Sequence, residues 1–145
     1  MSIGTHGAGL SRTLTDVPAQ VRWSVSAGCI TETVLNNRLG RPEDMPAQIH
    51  RLSELAKQEN VTLRIIPSGA ELPIPPYHGF ELLDDRCVIV DVFNTLLTTQ
   101  GQADTALYRL VFDRLEASAT DEIQPILDRY LDVYLDLSRP RRRRD

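Results

Sequence analysis

Apolar and polar residues alternate over Val21-Arg22-Trp23-Ser24-Val25, the period of a half-buried strand whose side chains point to opposite faces in turn. A short helix is predicted over Glu32 to Asn37, stopping by Gly40. Pro42 suits the first turn of a second helix, because its fixed φ matches and its missing N–H is not needed there. Met45, Ile49, Leu52, Leu55 and Ala56 then recur at helical spacing until Asn60. Val61 to Ile66 reads as a second strand, closed by Pro67. Two strands joined by helices predict a β-α-α-β crossover, which favours a parallel pair. From Ser68 to Gly79 the chain carries Pro73, Pro75 and Pro76, so this loop is expected to be stiff and extended. Phe80–Leu83 and Cys87–Phe93 flank Asp84-Asp85 as an antiparallel hairpin with a tight turn, and Thr95–Thr99 extends its sheet. Two helices close the chain. One carries the stripe Leu107, Leu110, Val111 and Leu115; the other carries Ile123, Ile126, Leu127, Tyr130, Leu131, Tyr134 and Leu137. Thr120 is read as the N-cap of the second, with Asp121 and Glu122 placed to favour its dipole. The fold class is therefore α+β: a small mixed sheet, crossover plus hairpin, covered by helices.

At 145 residues the chain fits one domain able to bury a core without metal or disulfide staples. Residues 1–19 read as a flexible glycine-rich arm, 20–138 as a single ligand-binding-like domain, and 139–145 as an arginine-rich disordered tail. Gly4, Gly7 and Gly9 neither follow a strand nor open a helix, so they imply no phosphate loop. The start lacks the apolar stretch of a signal peptide, and no apolar run approaches ~20 residues, so a cytoplasmic protein without a membrane span is expected. Five arginines and one aspartate give the tail +4, which leaves −8 on the rest, since the whole chain is −4. A body this acidic repels a phosphate backbone, which argues against DNA binding as the main role. Cys29 and Cys87 sit in apolar stretches and read as inert core thiols.

The ordered phrases Glu32-x-x-Leu35, Gly40, Met45, Gln48-Ile49-x-x-Leu52, Asn60-Val61-Thr62-Leu63 and Pro67 carry a family likeness. It continues through Phe80-x-Leu82-Leu83, Val88-x-Val90-Asp91 and Tyr108-x-x-Val111-Phe112-Asp113-Arg114-Leu115. This stretch, roughly residues 20–127, resembles a domain of unknown function that follows a Cro/repressor-type helix-turn-helix in actinobacterial regulators. The resemblance implies a cytoplasmic domain that senses a small molecule or a partner protein. Residues 1–19 are too few to supply the helix-turn-helix, so DNA binding is expected to be lost. Two walls depart from the family pattern, at Glu71–His78 and around Ile89-Val90-Asp91 and Asn94-Thr95-Leu96, which suits a different ligand or a catalytic role.

His6, His50 and His78 are far apart and no CxxC or HExxH occurs, so neither a metal nor any other cofactor is called for. Glu32 follows a strand and opens a helix, where a carboxylate can face the end of the sheet; helix capping, or a salt bridge to Arg38 or Arg41, is the competing role. Asp91 lies in an apolar run, where burial would raise its pKa and suit it to acid–base work; an outward-facing acid on a solvated face is the alternative. Tyr77 and His78 end the proline-rich loop and form a candidate lid, with Trp23, Phe80 and Phe93 as candidate walls and Asn94 as a hydrogen-bonding group. Ordinary loop, core and turn roles compete for each of these residues.

Two functions follow: a sensor or adaptor that binds a small organic ligand, or a cofactor-independent cyclase or isomerase acting on an apolar secondary metabolite. The second would use Asp91, Glu32 and His78 as its catalytic groups, with Tyr77 beside them. Nucleic-acid binding through the arginine tail is the weakest reading. The apolar stripe Ile123–Leu137 exceeds what one small sheet requires, which also suggests a homodimer through that helix.

Overall fold

A computed structural model describes residues 26–37, 41–92 and 94–139, without the side chains of Ser26 and Asp91. The arm at 1–19, the strand predicted over Val21–Val25, Trp23, Arg38, Phe93 and the tail beyond Arg139 lie outside the described residues. The element order is β1 (Ser26–Thr31), α1 (Thr33–Asn36), a 3₁₀ turn (Pro42–Asp44), α2 (Met45–Ala56) and β2 (Val61–Ile66). There follow β3 (Glu81–Leu83), β4 (Cys87–Val92), β5 (Thr95–Thr99), α3 (Gln102–Glu116) and α4 (Gln124–Ser138). The class is the expected α+β.

β1 and β2 pair in parallel, Ser26 opposite Val61 through Thr31 opposite Ile66, so the crossover prediction holds. β1 occupies the stretch around Cys29 that reads only as apolar in the sequence. The reason is burial on both faces: Ala27 and Cys29 enter one core while Ile30 enters another, so no polar residue marks a solvent side. Ile66 joins the first core; Leu63 and Ile65 join the second.

β3, β4 and β5 form a separate antiparallel sheet in sequence order. Asp84 and Asp85 both take positive φ, 48° and 54°, and Arg86 N donates to Leu83 O at 2.9 Å. Positive φ at both central residues belongs to the mirror-image turns whose twist suits hairpins; the connection is three residues long, because Leu83 pairs with Cys87. Arg109 of α3 pairs with Asp85 and anchors the turn to the helix.

The first core lies where both sheets meet α3, with Phe80, Leu82, Val88, Phe112 and Leu115 at its centre. Here the predicted stripe holds in part: Leu115 is buried and Val111 packs against the core. Leu107 and Leu110 are half exposed, and the inward residues are Thr105, Phe112 and Leu115. The second core packs Ile30, Leu35, Ile49 and Leu52 against Ile123, Leu127 and Tyr134 of the last helix and its approach. α4 starts at Gln124 with Pro125 in its first turn, later than the Thr120 cap expected. Thr120 is taken instead by a bridge to Ile65, their backbones exchanging hydrogen bonds of 2.8 and 3.0 Å. α2 likewise ends at Ala56, short of Asn60.

Candidate functional site

The chain from Pro67 to Gly79 takes no regular structure. It is held by Ala70 N to Pro67 O at 3.0 Å, by Tyr77 N to Pro75 O at 3.0 Å, and by the Ser118 hydroxyl donating to Glu71 O at 3.0 Å. Its three prolines fix φ without needing ladder partners, so the path is stiff although it is not a strand. Between the end of this loop and α3 lies an apolar cleft of about 210 Å³. Ile74, Pro75, Pro76, Tyr77, His78 and Phe80 line one side; Leu107, Tyr108, Val111 and Leu115 line the other. Phe80 meets Tyr108 edge to face with ring centroids 4.8 Å apart, and His78 lies 6.0 Å from the same tyrosine, tilted by 52°. His78 Nδ1 and Gly79 O are 3.2 Å apart. Tyr77 stands 85% exposed at the rim, while Phe80 is rooted in the core, so the cleft has a fixed floor and an open lip.

Three predicted residues, Tyr77, His78 and Phe80, thus come together. Tyr108 was not among the predicted site residues. Its signal was the spacing Tyr108, Phe112, Leu115, which shares one helix face with Val111. Asn94 is exposed in the turn between β4 and β5, and the Asp91 backbone lies opposite Leu96 in the ladder.

Glu32 is placed elsewhere. It is 7% exposed and sits at the junction of β1 and α1, where its own N–H donates to Ile66 O at 2.8 Å. The Ser68 N–H donates to its Oε2 at 2.8 Å; the Tyr130 hydroxyl donates to Oε1 at 3.1 Å, and Arg129 pairs with the same oxygen. Burial pushes this carboxyl up, but the Ser68 N–H, the Tyr130 hydroxyl and the Arg129 guanidinium outweigh it and hold it below the usual carboxylate range. Burial, and then the bond to Glu32, push the Tyr130 hydroxyl up. The salt bridge expected with Arg41 is not formed, because Arg41 faces Glu43 and Asp44 at 3.9 and 3.6 Å and α4 brings Arg129 across instead. A carboxylate with both oxygens engaged ties β1, the loop after β2, and α4 together.

A second recess of about 280 Å³ opens on the other side of the proline-rich loop, at the carboxyl ends of β1 and β2, lined by Thr31, Thr33, Asn37, Ser68 and Leu72 among others. Pro76 belongs to both recesses.

Cys29 is buried, and burial, with Glu116 nearby only partly offset by Arg64, pushes its thiol up to about 12. It is an inert core residue, as expected; Cys87 is half-buried, and both thiols are free. Among the described residues no group of three His, Cys, Asp or Glu could hold a metal ion, and no helix is long and apolar enough to cross a membrane. No curated protein and no solved structure matches the chain. One family model does, over residues 18–126, a span that takes in β1, the crossover, both sheets, the cleft and Glu32 but not its partners Arg129 and Tyr130; the chain belongs to the family described as Domain of unknown function (DUF5753).

Proposed function

We propose that this chain is a small-molecule-binding domain whose site is the cleft between the proline-rich loop and α3. It would serve as the sensing or adaptor part of the type that accompanies Cro/repressor-type helix-turn-helix modules in actinobacterial regulators. One observation carries the reading: an apolar recess walled by Phe80 and Tyr108 with a single imidazole, His78, at its edge. Aromatic faces supply contact area at little conformational cost, and one polar group sets orientation. Its volume is below the ~300–1,000 Å³ of sites for drug-sized ligands, so the fitting ligand is fragment-sized or leaves through the open lip.

The alternative, a cofactor-independent cyclase or isomerase, needs acids free to exchange protons near the substrate. The engagement of Glu32 with three donors outside the cleft weighs for binding over catalysis. Titration with indole and naphthol, followed by backbone amide shifts, tests the site. The expected result is saturable movement at Ile74–Phe80 and Leu107–Leu115, weakened about tenfold or more in Tyr108→Ala, a loss of ~1.4 kcal/mol. Shifts that avoid both segments would sink the assignment.

A further inference from the structure

Among the described residues, β5 is an edge strand with no cover. Leu96 is 54% exposed and Leu97 58%. Neighbouring residues of a strand point to opposite faces, so exposure of both leaves β5 bare above and below. Val92, near the tip of the same hairpin, is 41% exposed. β4 lies on one side of β5, and among the described residues no strand lies on the other. Such an edge carries unpaired N–H and C=O groups, and chains ordinarily guard it with charge, proline or a bulge. This one has no such guard: from Val92 to Ala103 there is no Asp, Glu, Lys, Arg or Pro, in a chain of which 25% is charged.

We propose that β5 pairs with β5 of a second copy, antiparallel about a twofold axis at Leu97, to make one six-stranded sheet. The free backbone ladder calls for an extended strand as occupant. The neutral sequence favours the chain's own copy, because a twofold contact sets each residue against itself or its near neighbours, and any charge there would meet its like. Leu97 lies opposite Val90, whose side chain is buried, so the two Leu97 residues would carry the apolar face of each sheet across the junction. Of the α4 stripe, Ile123, Leu127 and Tyr134 are buried in the second core, while Leu137, with Val133 and Leu135, stays about half exposed; β5 is the better-placed surface because it adds a free backbone edge that a helix lacks. The contact is small beside the ~800 Å² per partner of a standard interface, so association in the micromolar range is expected.

Sedimentation velocity of the full chain across the micromolar range tests this. The expected result is a monomer–dimer transition that Leu97→Lys shifts by about tenfold or more in concentration, by setting two ammonium groups on the axis. Leu137→Lys, on the exposed flank of α4, leaves it in place. Oxidation of Leu97→Cys yields a covalent dimer, because facing Cα atoms of a non-hydrogen-bonded pair lie ~4.5 Å apart, within disulfide reach, whereas Thr95→Cys does not. Far-ultraviolet circular dichroism of each variant checks that it is folded. A monomer at every concentration overturns the proposal, as does a dimer indifferent to Leu97→Lys. A monomer that Leu97→Lys destabilises overturns it too, by giving the edge to another segment of the same chain.

Discussion

The two strand systems use similar residues and are finished in opposite ways. β1 and β2 are closely covered: Cys29, Ile30 and Ile65 are each no more than 1% exposed, and Glu32 at their end has both oxygens engaged. In the antiparallel sheet the cover thins outward, from Leu82 at 0% to Val90 at 7% and Leu97 at 58%. The aromatic cleft, the proline-rich loop and the bare edge all lie on this less finished side. Stability and availability for contact are therefore divided between the halves. Buried apolar residues and the Glu32 junction hold the fold together, while surfaces left without partners are where another molecule can add something.

The following experiments would break or sharpen that division. Leu127→Ala, at a fully buried position, is expected to cost about 3 kcal/mol, against less than ~0.5 kcal/mol for Leu97→Ala in the monomer. Urea unfolding at low concentration measures both, and equal losses would erase the contrast. Glu32→Ala is expected to cost about 2 kcal/mol, mainly through the Ser68 N–H and Tyr130 hydroxyl it strands, since Arg129 is 61% exposed and its ion pair is screened.

The pH dependence has a definite sign. A carboxyl held low in the folded state stabilises above its ordinary pKa of ~4.3, and that contribution drains away as pH falls through the folded value. Stability of Glu32→Gln should accordingly be flatter than wild type on the acid side in unfolding titrations. Cys29 works at the other end. Its thiol is raised from 9.0 to about 12, so its contribution is full below pH 9.0 and is lost as pH rises towards the folded value. Cys29→Ala should flatten that alkaline decline. Iodoacetamide at pH 9.0 should label Cys87 ahead of Cys29 in the native protein, as mass spectrometry of peptides would show. The smallest effect is a gain. Asp84→Gly relieves a side chain held at φ 48° and should add roughly 0.5 kcal/mol, read from the melting midpoint.

Much of this architecture is legible in the residues. Pro42 and the Met45–Ala56 spacing mark α2, Pro67 ends β2, and Asp84-Asp85 gives the hairpin. The misplacements have physical causes. β1 hides its period because neither face sees water. Thr120 has the chemistry of a cap, yet a bridge to Ile65 takes its backbone first. On α3, leucine was read as inward, while the space beside Phe80 is filled by Tyr108 and Phe112. Within the candidate site, Tyr77 and His78 stand out because prolines stiffen the loop that holds them. The partners of Glu32 do not, because no local pattern announces that a residue near one end of the chain will meet Arg129 and Tyr130 near the other.

That last contact also bears on the order in which the molecule is assembled. Glu32 joins residues 97 and 98 places further along, and the Tyr134 hydroxyl reaches Leu35 O, 99 places back, at 2.5 Å. Loops of that span are slow to close, since their ends must find each other before any contact compensates the lost entropy. On the ribosome the hairpin β3–β4 can form as soon as it emerges, whereas the second core must wait for α4, which follows every other element described. Until then Ile30, Leu35, Ile49 and Leu52 have no lid, and the nascent chain passes through a state whose apolar surface invites chaperones or neighbouring chains.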